Sequence, residues 1–263
     1  MLCYRAVPDT RELISTLLSL ADASLRTQWL RQRLEQWPVA AAARTLQELI
    51  ERSESGQPDS KQVMFSVVAT IVRDPDAALW RELKGQAVAD DLLSLQRLLR
   101  QDEPLATSLD TDDEPPVPDY GAGRELTLGE RRSLARRPQR KWLERLLHDP
   151  HPMVIELLLQ NPKLTENDVV RVTTSRRARA DILHSIVRAE RWLSQSRVRW
   201  SLVMNPVTPI PLSVPLLFLC THPELREARD ASNLPLTVRS TAAELLQRRP
   251  PHKTLGTDST TLH

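Results

Sequence analysis

The stretch DPHPMVIELLLQNPKLT, residues 149–165, decides the fold of this chain. Its apolar run, Val154 to Leu159, has an Asp-Pro pair in front of it and an Asn-Pro pair behind it. Asp, Asn and Thr accept hydrogen bonds from the free N–H groups of a first helical turn, and proline needs no N–H at the first helical position. The stretch therefore predicts a short buried helix, a break, and a second helix that starts near Thr165.

The same arrangement returns further along the chain. VRWSLVMNPVTP, residues 198–209, places Asn205 directly before a proline, and Asn233-Leu-Pro is a looser version of it. Asn161, Asn205 and Asn233 are 44 and 28 residues apart. Repeats of about 20 to 50 residues with paired helices are typical of α-solenoids. We interpret the three asparagines as helix caps and as hydrogen-bonding residues between repeats, because caps strongly favour Asn.

These motifs resemble the leucine-rich repeat variant and HEAT-like families of α-helical repeats, which have many uncharacterised bacterial members. The resemblance covers residues 128–248 and none of the N-terminal half. It implies an α-solenoid-like domain, and it says little about function because such repeats serve many partners. The uneven spacing leaves a compact helical domain as the alternative to an open superhelix.

Composition extends the helical interpretation to the whole chain. Of the 263 residues, 40% are hydrophobic and 27% are charged, which is ordinary for a globular protein. There are only six glycines and ten aromatic residues, whereas sheets need glycine in turns and aromatic or β-branched residues in strands. Good helix formers fill the segments between prolines. We therefore predict an all-α protein.

Charge divides the chain into four zones. Residues 1–101 have a net charge of 0, residues 102–123 carry seven acids and no base, residues 124–249 have a net charge of +9, and residues 250–263 again have 0. The acidic, proline-rich zone buries too little apolar surface to offset its ordering entropy, so we predict a flexible linker there and a disordered tail at the end. An N-terminal helical module and a helical-repeat domain would flank the linker, which could compete with an acidic partner for the basic domain.

Apolar spacing predicts about five helices in the N-terminal module. The first opens with a capping-box pattern at Asp9–Glu12, and a second such pattern, Thr127–Glu130, opens the repeat domain. Residues 61–73 are rich in β-branched Val and Ile, and by propensity alone they could form a strand. Their length and their position between helices favour a buried helix.

Motifs for catalysis and cofactor binding are absent from the sequence. It contains no glycine-rich phosphate loop, no GxSxG, no HExxH and no SxxK-type constellation. His148 and His151 lack the third and fourth ligands that zinc requires. Asp181 and His184 could form an acid–base pair on a helix, but the sequence marks no nucleophile near them. We predict that the chain is not an enzyme and has no cofactor and no metal.

Cysteine usage and hydropathy favour the cytoplasm. Cys3 and Cys220 lie far apart and form no CxxC pair, which is typical of reduced cysteines in a cytosolic protein. No apolar stretch approaches the roughly 18 residues of a membrane-spanning helix. The first residues also lack the basic and apolar regions of a secretory signal.

Arginines near two predicted helix junctions form the candidate binding site, and Trp192 and Trp200 lie among them. They are Arg171, Arg176, Arg177, Arg179, Arg188, Arg191, Arg197 and Arg199. Equivalent junctions of a stacked solenoid line up along one edge, so these residues would merge into a basic strip. Arginines with aromatic rings bind phosphates and stack on bases. The competing interpretation is a solvated face with both tryptophans in the core.

The sequence thus favours a non-enzymatic scaffold or adaptor that binds another protein through its helical-repeat surface. The alternative is a nucleic-acid-binding HEAT-like protein that uses the arginine strip. An enzyme on a helical-repeat frame has the least support, because no catalytic acid is marked by its neighbours.

Overall fold

A computed structural model describes residues 9–101 and 116–249, apart from residues 138 and 177. Every regular element within these ranges is a helix, which confirms the all-α prediction. No helix in this part of the chain combines the length and apolar character needed to cross a membrane. The predictions made for Cys3, Arg177, residues 102–115 and the tail from residue 250 lie outside the described residues.

The described N-terminal half contains six helices, where apolar spacing predicted about five. They are α1 (Thr10–Ser19), α2 (Ala23–Leu34), α3 (Val39–Glu54), α4 (Pro58–Arg73), α5 (Ala78–Ala89) and α6 (Leu93–Leu98). Asp91, in a left-handed conformation with a φ of 52°, lies between the last two and makes them separate elements.

Ten further helices follow in residues 128–248. They are α7 (Leu128–Ala135), α8 (Arg140–Leu146), α9 (Pro152–Leu159), α10 (Glu166–Thr173), α11 (Ala180–Arg188), α12 (Glu190–Leu193), α13 (Ser196–Val203), α14 (Ile210–Leu217), α15 (His222–Asp230) and α16 (Leu236–Arg248).

Helix α4 lies at the centre of the fold. Ten of its sixteen residues are buried, and it packs against α1, α2 and α3 of its own half and against α11 and α14 of the other half. A helix surrounded in this way must be apolar on most sides. The Val and Ile content of residues 61–73 therefore reflects burial of a helix, as predicted, and not a strand.

The capping box predicted at Asp9–Glu12 is wrong. Asp9 precedes α1 but makes no side-chain cap bond. The first turn is instead bonded to another helix, because the Thr10 hydroxyl donates to a Glu48 carboxylate oxygen in α3 at 2.6 Å. A tertiary contact thus replaces the local one.

Three helices of the second half do begin with a complete capping box. The predicted box at Thr127 and Glu130 forms at the start of α7. Equivalent boxes open α10 at Thr165 and α15 at Thr221. In each, a threonine and an acid three residues later satisfy each other's free main-chain N–H groups.

The last part of the predicted linker, residues 116–123, is bonded to the second half of the chain. Tyr120 is buried, and its hydroxyl donates to a carboxylate oxygen of Asp149 at 2.7 Å. The neighbouring Gly121 has a φ of 71°, and a Cβ there would approach the Arg145 guanidinium to 2.8 Å. Glycine is therefore needed where the chain passes this side chain.

Asn161 closes the end of an earlier helix. Its side-chain nitrogen donates to the main-chain oxygen of Ala135, the last residue of α7, at 2.8 Å, and to that of Arg137 at 3.0 Å. Its side-chain oxygen accepts the N–H of Lys163 at 3.0 Å. The last carbonyls of a helix have no partner within it, and an amide NH₂ offers two donors, so one asparagine can satisfy two of them.

Asn205 makes the same three bonds 44 residues later. Its nitrogen donates to the oxygens of Thr173 at 2.7 Å and Ser175 at 3.0 Å, and its oxygen accepts the N–H of Val207 at 3.0 Å. Both asparagines were predicted to cap helices and to form hydrogen bonds between repeats, and they do cap helix ends that are distant in sequence. Their amide nitrogens serve the carbonyl end of a helix that lies more than twenty residues earlier.

Arg249 takes the same place at the end of the described chain. Its two terminal nitrogens donate to the main-chain oxygens of Phe218 at 2.7 Å and Cys220 at 2.6 Å, just past α14. We call each such side chain, which bonds two carbonyls two residues apart, a carbonyl clamp. Asn161, Asn205 and Arg249 are separated by 44 residues in both steps.

The helices before the clamps share this spacing. Helix α13 begins and ends 44 residues after α9 does, and α14 begins and ends 44 residues after α10 does. In each clamped unit the last helix packs against the first, as α9 on α7, α13 on α10 and α16 on α14. Arg197 bonds Asn167 near the start of α10, and Ser201 contacts Thr173 at its end, so α10 and α13 run in the same direction.

The carbonyl clamp at Asn205 can be tested by stability. We expect Asn205→Ala to lower the free energy of unfolding by about 1–3 kcal/mol, because the buried oxygen of Thr173 loses its donor. The matched control is Asn233→Ala, an exposed asparagine, which should change stability by less than about 0.5 kcal/mol. Urea unfolding of both variants is the measurement, and equal effects would contradict the clamp.

Candidate partner-binding surface

Three arginines of the predicted strip are exposed and unengaged. Arg171 lies in the last turn of α10, Arg176 follows that helix, and Arg188 ends α11. None of the three has a hydrogen-bond or ion-pair partner among the described residues. Their guanidinium groups are therefore available to a carboxylate or a phosphate from outside.

Two other arginines of the strip bind main-chain carbonyls. Arg191 donates to the oxygens of Asn161 and Leu164, both at 3.2 Å, and its guanidinium lies 4.3 Å from the ring centre of Trp192. It thereby ties α12 to the turn between α9 and α10. Because these guanidinium N–H groups are already bonded, Arg191 can donate few further hydrogen bonds to an external anion.

Arg199 makes a similar bond within its own unit. One terminal nitrogen donates to the oxygens of Leu193 at 2.8 Å and Ser194 at 2.9 Å. Burial lowers the pKa of Arg199 from its ordinary value. The side chain also lies 5.9 Å from the ring centre of Phe65 in α4, so it contributes to the contact between the two halves.

The remaining described arginines of the strip have acidic or polar neighbours. Arg179 forms an exposed ion pair with Asp181 at 3.0 Å. Arg197 donates to Asn167 at 2.9 Å and lies 3.8 Å from a Glu166 oxygen. Such exposed pairs are weak, so an external anion could compete for both guanidinium groups.

Trp192 is not available for stacking. It is 2% exposed, and its ring N–H donates to the oxygen of Leu159 at 2.8 Å. Trp200 is half-buried and packs against the core. The competing interpretation, in which the tryptophans are structural, therefore fits both rings better than base stacking does.

The carbonyl clamps identify two further arginines that sequence reasoning missed. Asn161 bonds the oxygens on either side of Arg136, as Asn205 does at the equivalent loop after α10. Arg136 and Arg137 are exposed and have no side-chain partner among the described residues. Together with Arg176, they place free guanidinium groups after the first helix of two successive units.

One ion pair orders the junction between these two units. Arg140, the first residue of α8, donates to both carboxylate oxygens of Asp168 at 2.5 and 2.6 Å. This bond and those from Thr165 hold the pKa of Asp168 at about 2. The carboxylate therefore stays ionised at neutral pH and fixes the first turn of α10.

The other titratable groups singled out in the sequence serve structural contacts. His151 caps α9, because its Nδ1 accepts the N–H of Met153 at 3.2 Å. His184 lies 3.3 Å from the Arg73 main-chain oxygen, while Asp181 pairs with Arg179. Within the described ranges, no group of three or more His, Cys, Asp or Glu side chains could hold a metal ion.

Cys220 is a buried thiol beside the third carbonyl clamp. Burial raises its pKa to about 12. The thiol is thus protonated at neutral pH, and a protonated, buried thiol is a poor nucleophile.

Comparison with known proteins finds no family model, no curated protein and no solved structure that matches the chain.

Proposed function

We propose that the chain is a non-enzymatic scaffold or adaptor, placed in the cytoplasm, that binds another protein. In this proposal residues 124–249 are a solenoid-like stack of three helical units of the leucine-rich repeat variant or HEAT-like kind. The partner binds the exposed arginines at the loops between helices. The observation that carries the proposal is the carbonyl clamp, which recurs at 44-residue intervals.

The clamp supports a stack because it is a tertiary contact and not a composition bias. Two asparagines and one arginine make the same pair of bonds to carbonyls two residues apart. Different residue types in one geometric role indicate a repeated frame. A stack of similar units leaves one surface free along its length, and proteins of that shape commonly use it for binding.

The engagement of Arg191 and Arg199 favours a protein partner over nucleic acid. Phosphate-driven binding needs many cations free to neutralise the backbone, and base stacking needs exposed rings. Both arginines use their donors on carbonyls, and Trp192 is buried. A few free guanidinium groups, on a half that also exposes aliphatic side chains such as Met153 and Leu236, better suit an acidic protein surface.

The test is affinity capture with the full-length chain, followed by a binding measurement with the purified partner. We expect Arg171→Ala/Arg176→Ala/Arg188→Ala to weaken binding at least tenfold, because arginine anchors at protein interfaces each contribute more than about 1 kcal/mol. The control variant, Arg11→Ala/Arg44→Ala/Arg81→Ala, removes the same charge from exposed sites of the other half. It should bind as the unmodified chain does.

Nucleic acid is the competing outcome of the same experiment. The chain is titrated with single- and double-stranded DNA and RNA at 50 and 200 mM salt. Phosphate-driven binding falls steeply between these concentrations, by about a thousandfold or more for six to ten contacts. If no partner protein is captured, and if salt-sensitive binding to nucleic acid is lost in Arg171→Ala/Arg176→Ala/Arg188→Ala, the nucleic-acid-binding function would be favoured over the scaffold function.

A further inference from the structure

An open groove of about 460 Å³ lies between α5 and α6 of the first half and α16 of the second. Lys84, Val88 and Leu93 line it from the first half, and Glu244 and Arg248 line it from the second. The groove is thus formed only when the two halves pack together. It lies apart from the arginine strip, which belongs to α10–α13 and their loops.

The groove has an exposed apolar part. Val88 is 59% exposed and Leu93 is 55% exposed. They are two of the five large apolar side chains that are exposed in the described ranges. Two such side chains on one concave surface offer a contact to an aliphatic group of a ligand.

The charged part of the groove has an excess of cations. Arg97 and Arg100 both bind Glu244, at 2.9 and 3.0 Å, and this carboxylate is the only acidic group among the described lining residues. Among the described residues, the Lys84 ammonium donates to one group, the main-chain oxygen of Gln101, at 3.4 Å. Arg248 lies 3.9 Å from a Glu54 carboxylate oxygen that already accepts a bond from the Ser94 hydroxyl. Lys84 and Arg248 therefore remain available to carboxylates from outside.

The walls of the groove are held in place by buried bonds. Arg97, 4% exposed, donates to Glu54 in α3 at 2.6 Å and to Glu244 in α16 at 2.9 Å. Arg100 adds a bond to the Thr241 hydroxyl at 2.9 Å. Because these side chains are fixed before a ligand arrives, binding requires little further ordering of the protein.

We propose that this groove binds an acidic peptide segment of a partner protein, with aliphatic side chains between its carboxylates. The aliphatic groups contact Val88 and Leu93, and the carboxylates pair with Lys84 and Arg248. Charge complementarity argues for this occupant, because Lys84 and Arg248 are cations that Glu244, the one carboxylate of the described lining, does not bind. The inference rests on the proposed function only in that the ligand belongs to a protein.

The test uses a fluorescein-labelled synthetic peptide, DDELLDELLDDE, and the full-length chain in a fluorescence anisotropy titration at 50 mM salt. We expect saturable binding that weakens at least tenfold in Lys84→Glu/Arg248→Glu and again in Val88→Ser/Leu93→Ser. All four positions have exposed or half-exposed side chains, so these variants should retain the circular dichroism spectrum of the unmodified chain.

The control variant Leu25→Ser/Arg44→Glu changes a leucine of similar exposure and a more exposed arginine, both outside the groove, and should bind unchanged. A peptide with serine in place of leucine should bind at least tenfold more weakly. Less than a twofold change in both groove variants would overturn the proposal. So would binding that appears only when the six acids of residues 102–115 are changed to amides, because the chain's own acidic segment would then be the occupant.

The two proposals fail separately. The strip variant Arg171→Ala/Arg176→Ala/Arg188→Ala should bind the synthetic peptide normally. Loss of captured partner in the strip variant together with unchanged peptide binding supports both proposals. Loss of peptide binding in the strip variant would overturn the assignment of this ligand to the groove.

Discussion

Replacement of Arg97 by methionine is expected to lower the free energy of unfolding by about 3–5 kcal/mol. Arg97 and Glu54 form an ion pair at 2.6 Å in which both side chains are 4% exposed. Without this guanidinium, the buried Glu54 carboxylate keeps the Ser94 hydroxyl as a donor at 3.2 Å and the more distant Arg248 guanidinium at 3.9 Å. An uncompensated buried charge is more costly than the pair itself is favourable, which accounts for the size of the effect.

The control is Arg44→Met, which breaks an exposed pair with Asp90 at 3.2 Å and should change stability by about 1 kcal/mol or less. The double variant Arg97→Met/Glu54→Met should recover most of the lost stability, because apolar residues of similar volume often replace a buried pair without loss. Urea unfolding measures all three. A loss below about 1 kcal/mol for Arg97→Met would contradict the buried pair.

Replacement of Asp149 by alanine is the second large expected effect, again about 3–5 kcal/mol. Its buried carboxylate accepts bonds from the Arg131 guanidinium at 2.7 and 2.9 Å, the Tyr120 hydroxyl at 2.7 Å and the His151 N–H at 2.9 Å. Burial, with the bond to Asp149, raises the pKa of Tyr120, so its hydroxyl remains a donor. Alanine would leave Arg131 buried without its counter-ion.

Two control variants separate the charge from its neighbours. Tyr120→Phe removes one neutral donor and should cost about 1 kcal/mol. Asp230→Ala removes an exposed carboxylate paired with Arg229 and should change stability by less than about 0.5 kcal/mol. Thermal and urea unfolding give the ranking, and a loss in Tyr120→Phe equal to that in Asp149→Ala would argue against a dominant ion pair.

The helices themselves follow from local sequence signals. Capping residues such as Thr127, proline at the first helical positions of α9, and apolar spacing all act within a few residues of each other. The stretch at 61–73 was correctly assigned to a helix on length and context. The capping box predicted for α1 was wrong, because Asp9 makes no cap bond and Thr10 instead binds Glu48, 38 residues away.

The spacing of the carbonyl clamps could not be predicted from Asn-Pro pairs, because the third clamp is a different residue type. The Asn-Pro pattern points from Asn205 to Asn233, whereas the residue in the equivalent role is Arg249. An arginine offers two parallel donors as the asparagine amide does, so it can replace Asn at this position. Only the geometry of the acceptor carbonyls identifies the substitution.

The sequence predicts which arginines belong to the strip, but it does not predict the groups to which their side chains donate hydrogen bonds. Arg191 and Arg199 bind carbonyls at helix ends, and a free helix-end carbonyl leaves no mark in the local sequence. The groove was missed for a related reason. Lys84 and Arg248 are far apart along the chain and come together only through the packing of α16 near α5 and α6.

The central position of α4 makes the stability of each half depend on the other half. Its apolar surface is shared between neighbours from both, so loss of α11 and α14 would bring water onto a helix that also supports α1, α2 and α3. Neither half then has a complete interior of its own, despite the sharp change of charge between them. Denaturation should accordingly proceed as one all-or-none event, with no stage at which one half survives intact.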